Sequence, residues 1–148
     1  MQANQDRALD KVTVTIEDIK KRLASFRLPD LDMIVGIGSG GRVPAALIAG
    51  KLGLPVKHIE IKYRMENNQP LYEQPRLLRA DEFPQKNLRL LLVDDVSVSG
   101  KTIQTARQSL TGHIVTTFVL KGKADFVLFP EIKSCVNWPW HTESQHSE

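Results

Sequence analysis

The sequence predicts an α/β domain in which a mostly parallel, twisted sheet is flanked by helices, and three features carry that expectation. Short apolar runs bounded by turn residues recur along the chain, segments of helical character lie between them, and two small-residue loops each join a run to a helix. The 148 residues suit one domain. Hydrophobic residues at 41% and charged ones at 25% are ordinary for a globular chain. No apolar run approaches the roughly 20 residues of a membrane helix, so no membrane association is expected.

Taken in order, VTIEDIKKRLASFR at 14 to 27 places Ile16, Ile19, Leu23 and Phe26 on one helical face. Thr15 and Asp18 form a capping pair at its start, and Pro29 stops it. The runs Met33 to Ile37, Val56 to Ile61, Leu88 to Val93 and Ile114 to Leu120 are too short for helices and read as strands. Helices are expected between the first two, over Val43 to Leu52, and between the last two, over Lys101 to Leu110.

The interval from Tyr63 to Asn87 holds three prolines, much charge and little periodicity. A loop longer than about 12 to 15 residues in a compact domain is usually functional or disordered, and a mobile lid is the expectation. After Leu120, the pieces Phe126 to Phe129 and Cys135 to Trp138 suggest a small C-terminal flap, and the polar tail from His141 to Glu148 is expected to fray. The polar opening MQANQDRALDK lacks the apolar stretch of an export signal, and Cys135 has no partner cysteine; both favour the cytoplasm. The net charge of +3 suits an anionic ligand, but the basic residues are scattered rather than striped, so nucleic acid is not an expected partner.

Chemistry concentrates in LLLVDDVSVSGKT, residues 90 to 102: a buried strand, two carboxylates at its carboxyl end, a small polar loop and a helix start. Open α/β sheets bind ligands at that position. Ser97, Ser99, Gly100, Lys101 and Thr102 offer amides and hydroxyls to an anion where the helix dipole also favours negative charge. Asp94 and Asp95 repel each other unless a ligand or metal compensates them; vicinal sugar hydroxyls or Mg²⁺ would do so. A cap by Asp95 explains one acid and leaves the other. A P-loop is excluded, because its first glycine would have to stand where Asp95 does.

The second loop, VGIGSGGRVPA at 35 to 45, has four glycines that permit close backbone approach, with Arg42 adding positive charge. It reads as a second anion site. Gly36, Gly38 and Gly41 also satisfy G-x-G-x-x-G, with Glu60 roughly 20 residues on, but a dinucleotide domain leaves the paired aspartates and their loop unexplained.

The Asp-Asp, short loop, Ser-Gly-Lys-Thr pattern resembles the phosphoribosyl pyrophosphate motif of type I phosphoribosyltransferases, and the order from about Asp30 to Trp140 follows that family. The chain length and the ending KADFVLFPEIKSCVNWPW are most similar to the small 6-oxopurine (hypoxanthine, xanthine, guanine) members. The resemblance implies transfer of ribosyl 5-phosphate from phosphoribosyl pyrophosphate to a nucleobase, with Mg²⁺ as cofactor and a dimer or tetramer as the assembly. It would make Asp94 and Asp95 ribose and metal ligands, and Ser97, Val98, Ser99, Gly100, Lys101 and Thr102 the 5-phosphate loop. Ser39, Gly40, Gly41 and Arg42 would hold pyrophosphate, Lys121 would donate to an exocyclic oxygen of the base, and backbone near Val136 would read the base edge.

Three positions depart from the 6-oxopurine pattern. Val98 replaces an aspartate near N7 of the base, Cys135 replaces a stacking aromatic that Trp138 or Trp140 would have to supply, and Ser39 replaces a basic residue. These departures also admit a second reading, a regulator that binds phosphoribosyl pyrophosphate or a nucleotide on the same fold without turnover.

Overall fold

A computed structural model describes residues 11–62 and 75–141. Eight strands and three helices occur among them: β1 (Val12–Thr13), α1 (Ile16–Ala24), β2 (Met33–Ile37), α2 (Arg42–Leu52), β3 (Val56–Lys62), β4 (Arg76–Ala80), β5 (Arg89–Ser97), α3 (Lys101–Gln108), β6 (Ile114–Gly122), β7 (Phe126–Val127) and β8 (Val136–Asn137). Six strands form one sheet in the order β4-β3-β2-β5-β6-β7, with only β4 antiparallel to its neighbour. The expected α/β architecture is therefore the one observed. No helix among the described residues is long and apolar enough to cross a membrane.

The core follows from strand alternation. Ile34, Leu91, Val93, Phe118 and Leu120 face α1, α2 and the C-terminal segment, where they meet Ile19, Leu23, Ile48, Phe129 and Trp138. Val35, Ile37, Leu90, Leu92 and Val119 face the other way, onto Ile103 and Ala106 of α3. Because both faces are covered, all five residues of β2 and the run Leu90, Leu91, Leu92 and Val93 of β5 are apolar and buried.

This two-sided arrangement places the functional end of the sheet. From β2 the chain crosses through α2 on one face to β3, whereas from β5 it crosses through α3 on the other face to β6. The carboxyl ends of the adjacent strands β2 and β5 thus flank the point where the direction of winding reverses, the crevice in which such sheets bind ligands.

Local signals set several boundaries. Thr15 and Asp18 form a reciprocal capping box, the Thr15 hydroxyl accepting from the Asp18 amide at 3.0 Å and the Asp18 carboxylate from the Thr15 amide at 2.9 Å. Helix α1 nevertheless ends at Ala24, short of Phe26, which instead packs edge-on against Phe118 and Phe126. Strand β5 runs past Val93 to Ser97, carrying both aspartates in extended backbone.

The interval expected as a lid is more ordered than its composition implied: residues 76–80 form β4, paired with β3, so the expectation of an unstructured loop from 63 to 87 is corrected there. Its residues 63–74 lie outside the described part of the chain, as do residues 142–148 of the expected frayed tail. The flap, expected to lie outside the main sheet, is also built differently: Phe126 and Val127 join that sheet as its edge strand β7, beside Phe118 and Val119 of β6. Val136 and Asn137 pair in parallel with Val12 and Thr13, forming a separate two-stranded sheet that the polar N-terminal sequence did not signal.

At the amino end of the central strands, Arg89 grips Asp32 with its Nε at 3.1 Å, its Nη2 at 2.9 Å and its backbone amide at 2.7 Å, locking β5 to the approach of β2. These donors lower the Asp32 carboxyl from 3.8 to about 2. A depressed carboxyl stabilises the fold above its unfolded pKa of about 3.9 and loses that contribution as pH falls through the folded value. Asp32→Asn should therefore lower the Tm at pH 6 and converge with wild type as the pH approaches 2, a trend that calorimetry across this range would check. Phe118→Ala should cost about 3 to 5 kcal/mol, measured by denaturant unfolding, because it empties a fully buried site beneath α1.

Candidate active site

Two loops converge at the switch point. After β2, Gly38 takes a left-handed φ of +55° while its amide donates to Ile59 at 2.7 Å. Gly41 then donates to the Ile37 carbonyl at 2.9 Å as the chain turns into α2. A Cβ on Gly41 would run into the Val93 carbonyl, so only glycine lets this turn lie against the end of β5.

Gly40 has the most consequential contact. A Cβ there would fall 2.7 Å from both carboxylate oxygens of Asp95, so the bare α-carbon of the first loop makes room for the acid of the second. Asp95 is otherwise set by the Val96 amide, which donates to Oδ1 at 2.7 Å, and by the Trp140 indole, which donates to Oδ2 at 3.3 Å. The Asp95 amide in turn donates to Asp94 Oδ1 at 2.8 Å. Burial at the end of β5, and then the charge of Asp95, push the Asp94 carboxyl well above the usual carboxylate range. The two carboxyl groups thus stand side by side at the end of β5, the first of them desolvated.

Beyond the acids, Ser97 to Gly100 curl over the amino end of α3, where Gly100 takes a φ of +83° and its carbonyl accepts from the Gln104 amide. The Ser99 hydroxyl accepts from the Lys101 amide at 3.3 Å. A cavity of about 140 Å³ opens here between Asp94, Ser97, Ser99, Gly100 and Thr102. The Ser97 side chain is buried, and its hydroxyl finds no hydrogen-bond partner among the described residues. A buried hydroxyl without a partner costs free energy that an oxyanion in the cavity would recover. Val98 is 79% exposed, an apolar side chain held out over the site.

The other expected residues surround this centre. Ser39 and Arg42 are exposed on the first loop and at the first residue of α2. Lys121 lies on β6 directly beside Val96 of β5. Val136 is on β8; the Cys135 and Asn137 carbonyls accept from the Val12 and Val14 amides, so the pleat turns the intervening Val136 carbonyl to the opposite edge. Cys135 is exposed. Trp138 is buried against Phe129, as packing of the flap would require, and Trp140 stacks on it with planes 2° apart.

Two contributors are absent from the sequence reading. Gly122, at φ +116°, lets β6 approach so closely that a Cβ would collide with the Ser97 carbonyl, which accepts from the Lys123 amide at 2.9 Å. A glycine directly after Lys121 at a strand end was its only sequence signal. The indole bond from Trp140 to Asp95 had none, since 45 residues separate the pair.

Comparison with known proteins agrees with this geometry. The profile of the phosphoribosyl transferase domain matches residues 7–136. An orotate phosphoribosyltransferase of Sulfurisphaera tokodaii is 31% identical over 107 residues, 70% of this chain and 50% of that protein, so the match spans about half the length of this curated relative. Among solved structures, a purine phosphoribosyltransferase from Pyrococcus horikoshii superposes with a TM-score of 0.73 at 24% identity, covering 90% of this chain and 95% of its own. The xanthine-guanine-hypoxanthine phosphoribosyltransferase of Helicobacter pylori gives 0.67 at 16% identity, covering 92% and 97%. With the domain profile spanning residues 7–136 and the same fold in the solved structures, the chain belongs to the phosphoribosyl transferase domain family.

Proposed function

We propose that this protein transfers ribosyl 5-phosphate from phosphoribosyl pyrophosphate to a ring nitrogen of a nucleobase, a purine in the first instance, and releases pyrophosphate. The observation that carries the reading is the contact of Gly40 with Asp95, because it sets a carboxylate for the sugar between two loops suited to anions. On this reading Ser97 to Thr102 take the 5-phosphate, Asp94 and Asp95 take the ribose hydroxyls, and Ser39 to Arg42 take the pyrophosphate. Lys121 and the Val136 backbone flank the base.

The reaction breaks the bond from C1 of ribose to the pyrophosphate oxygen and forms the bond from C1 to the base nitrogen, with inversion. Positive charge develops on the sugar at the transition state, so catalysis is positional and electrostatic. The Asp95 carboxylate suits that charge, and no covalent nucleophile is needed. The choice of purine is supported by superposition along nearly the full length of two purine enzymes. Val98, which supplies no proton acceptor, and the similarity to an orotate phosphoribosyltransferase support orotate as the second reading of the base.

The site also fits Mg²⁺. Among the described residues no group of three or more His, Cys, Asp or Glu side chains could hold a metal, but Mg²⁺ commonly takes one or two carboxylates and completes its shell with water and substrate phosphates. Asp94 is the residue that would hold it here, since the sugar hydroxyls take the acceptor sites left on Asp95. Bound with the substrate, the ion would neutralise charge on the departing pyrophosphate.

Two measurements follow. Asp95→Asn should weaken phosphoribosyl pyrophosphate binding by about 10- to 100-fold in calorimetry, the scale of a lost hydrogen bond to a charged group, and unchanged affinity would remove Asp95 from the sugar site. Asp94→Asn should weaken binding yet stabilise the free protein. A carboxyl raised by burial favours the fold below its unfolded pKa and loses that contribution as pH rises through the folded value. The Tm advantage of the Asn variant should therefore widen from pH 4 to pH 8 in thermal scans without ligand.

A further inference from the structure

We infer that Trp140 is a positioning residue: its indole N–H fixes the Asp95 carboxylate so that each oxygen keeps one acceptor site for one of two vicinal ribose hydroxyls. The inference rests on the sugar-binding role proposed for Asp95 and extends it to a residue of the C-terminal segment. A carboxylate offers about four lone-pair sites over its two oxygens. One on Oδ1 is taken by the Val96 amide and one on Oδ2 by the Trp140 indole. What remains, among the described residues, is one site per oxygen, the arrangement that receives two neighbouring hydroxyls side by side.

The indole is suited to this task because it donates without carrying charge. A lysine or arginine in its place would orient the carboxylate equally well but would neutralise it, weakening its hold on the hydroxyls and on the positive charge that develops at the sugar. Indole nitrogen is a donor only and cannot compete with the carboxylate as an acceptor.

Its position is fixed from behind. Trp140 lies parallel to Trp138 with ring centroids 5.7 Å apart, and Trp138, only 4% exposed, packs against Phe129 in the core. The His141 amide closes the turn by donating to the Trp138 carbonyl at 3.0 Å. Upstream, β8 is held by β1. On one side of the carboxylate, Gly40 lies so close that a Cβ would meet both oxygens. Asp95 is therefore held by an indole and flanked by a glycine, and preorganisation of this kind spares the ligand the cost of ordering its own receptor.

The test compares ribose 5-phosphate with 2-deoxyribose 5-phosphate by calorimetry in wild type and Trp140→Phe, which keeps an aromatic ring on Trp138 and loses the donor. Wild type should prefer the ribose form, and Trp140→Phe should reduce that preference about 10-fold while leaving the affinity for the deoxy form nearly unchanged. General damage to the fold would weaken both ligands together and leave the ratio intact. An unaltered ratio in Trp140→Phe overturns the role of Trp140 alone, whereas a wild type that binds neither sugar phosphate, or binds both equally, overturns the sugar-site reading and this inference with it. A second readout needs no variant. Trp138 and Trp140 are the only tryptophans of the chain, so saturating ribose 5-phosphate should change tryptophan emission, and unchanged emission at calorimetric saturation also overturns the inference.

Discussion

The functional end of this molecule depends on the close approach of two loops that leave neighbouring strands in opposite directions. Gly40 and Gly41 bring the first loop against the end of β5, where side chains would collide with Asp95 and with the Val93 carbonyl. Gly122 does the same from β6 against Ser97. Three missing Cβ atoms thus let three strand ends close around one crevice. Sheet topology supplies the crevice, and the glycines make it narrow enough for a single ligand to touch all of its walls.

That closeness has an energetic counterpart. Asp94 and Asp95 stand side by side with the first largely desolvated, and the Ser97 hydroxyl is buried without a partner among the described residues. None of these features stabilises the empty fold. The covered sheet offsets them, with strands buried on both faces and an aromatic cluster of Phe26, Phe118 and Phe126 beneath α1. Destabilised polar groups at one end of a well-packed sheet are the usual mark of a site built for a ligand, since binding relieves what folding left unsatisfied.

Much of this was legible in the sequence because local chemistry determined it. The capping pair Thr15 and Asp18 predicted the start of α1, and the short apolar runs predicted the four central strands, most clearly β2 and β5, whose centres are covered on both faces. Asp94 to Thr102 and the glycine loop stood out in the sequence because each combines small residues with a strand-to-helix junction, and the two loops meet in the structure. What was not legible depends on contacts remote in sequence. Strand β4 has five exposed residues and no alternation to mark it, and β1 exists only through its pairing with β8. The bond between Trp140 and Asp95 belongs to the same class.

The central claim is that the crevice carries out phosphoribosyl transfer, and the most direct measurement is pyrophosphate release from phosphoribosyl pyrophosphate and Mg²⁺ in the presence of guanine, hypoxanthine, xanthine, adenine, orotate or uracil. The account predicts release that depends on the base, with a purine as the preferred acceptor. Preference for orotate would correct the base and keep the reaction, and binding without release would make the protein a sensor of the same ligand. Absence of both release and binding would contradict the assignment of Asp94 to Thr102 as a sugar-phosphate site.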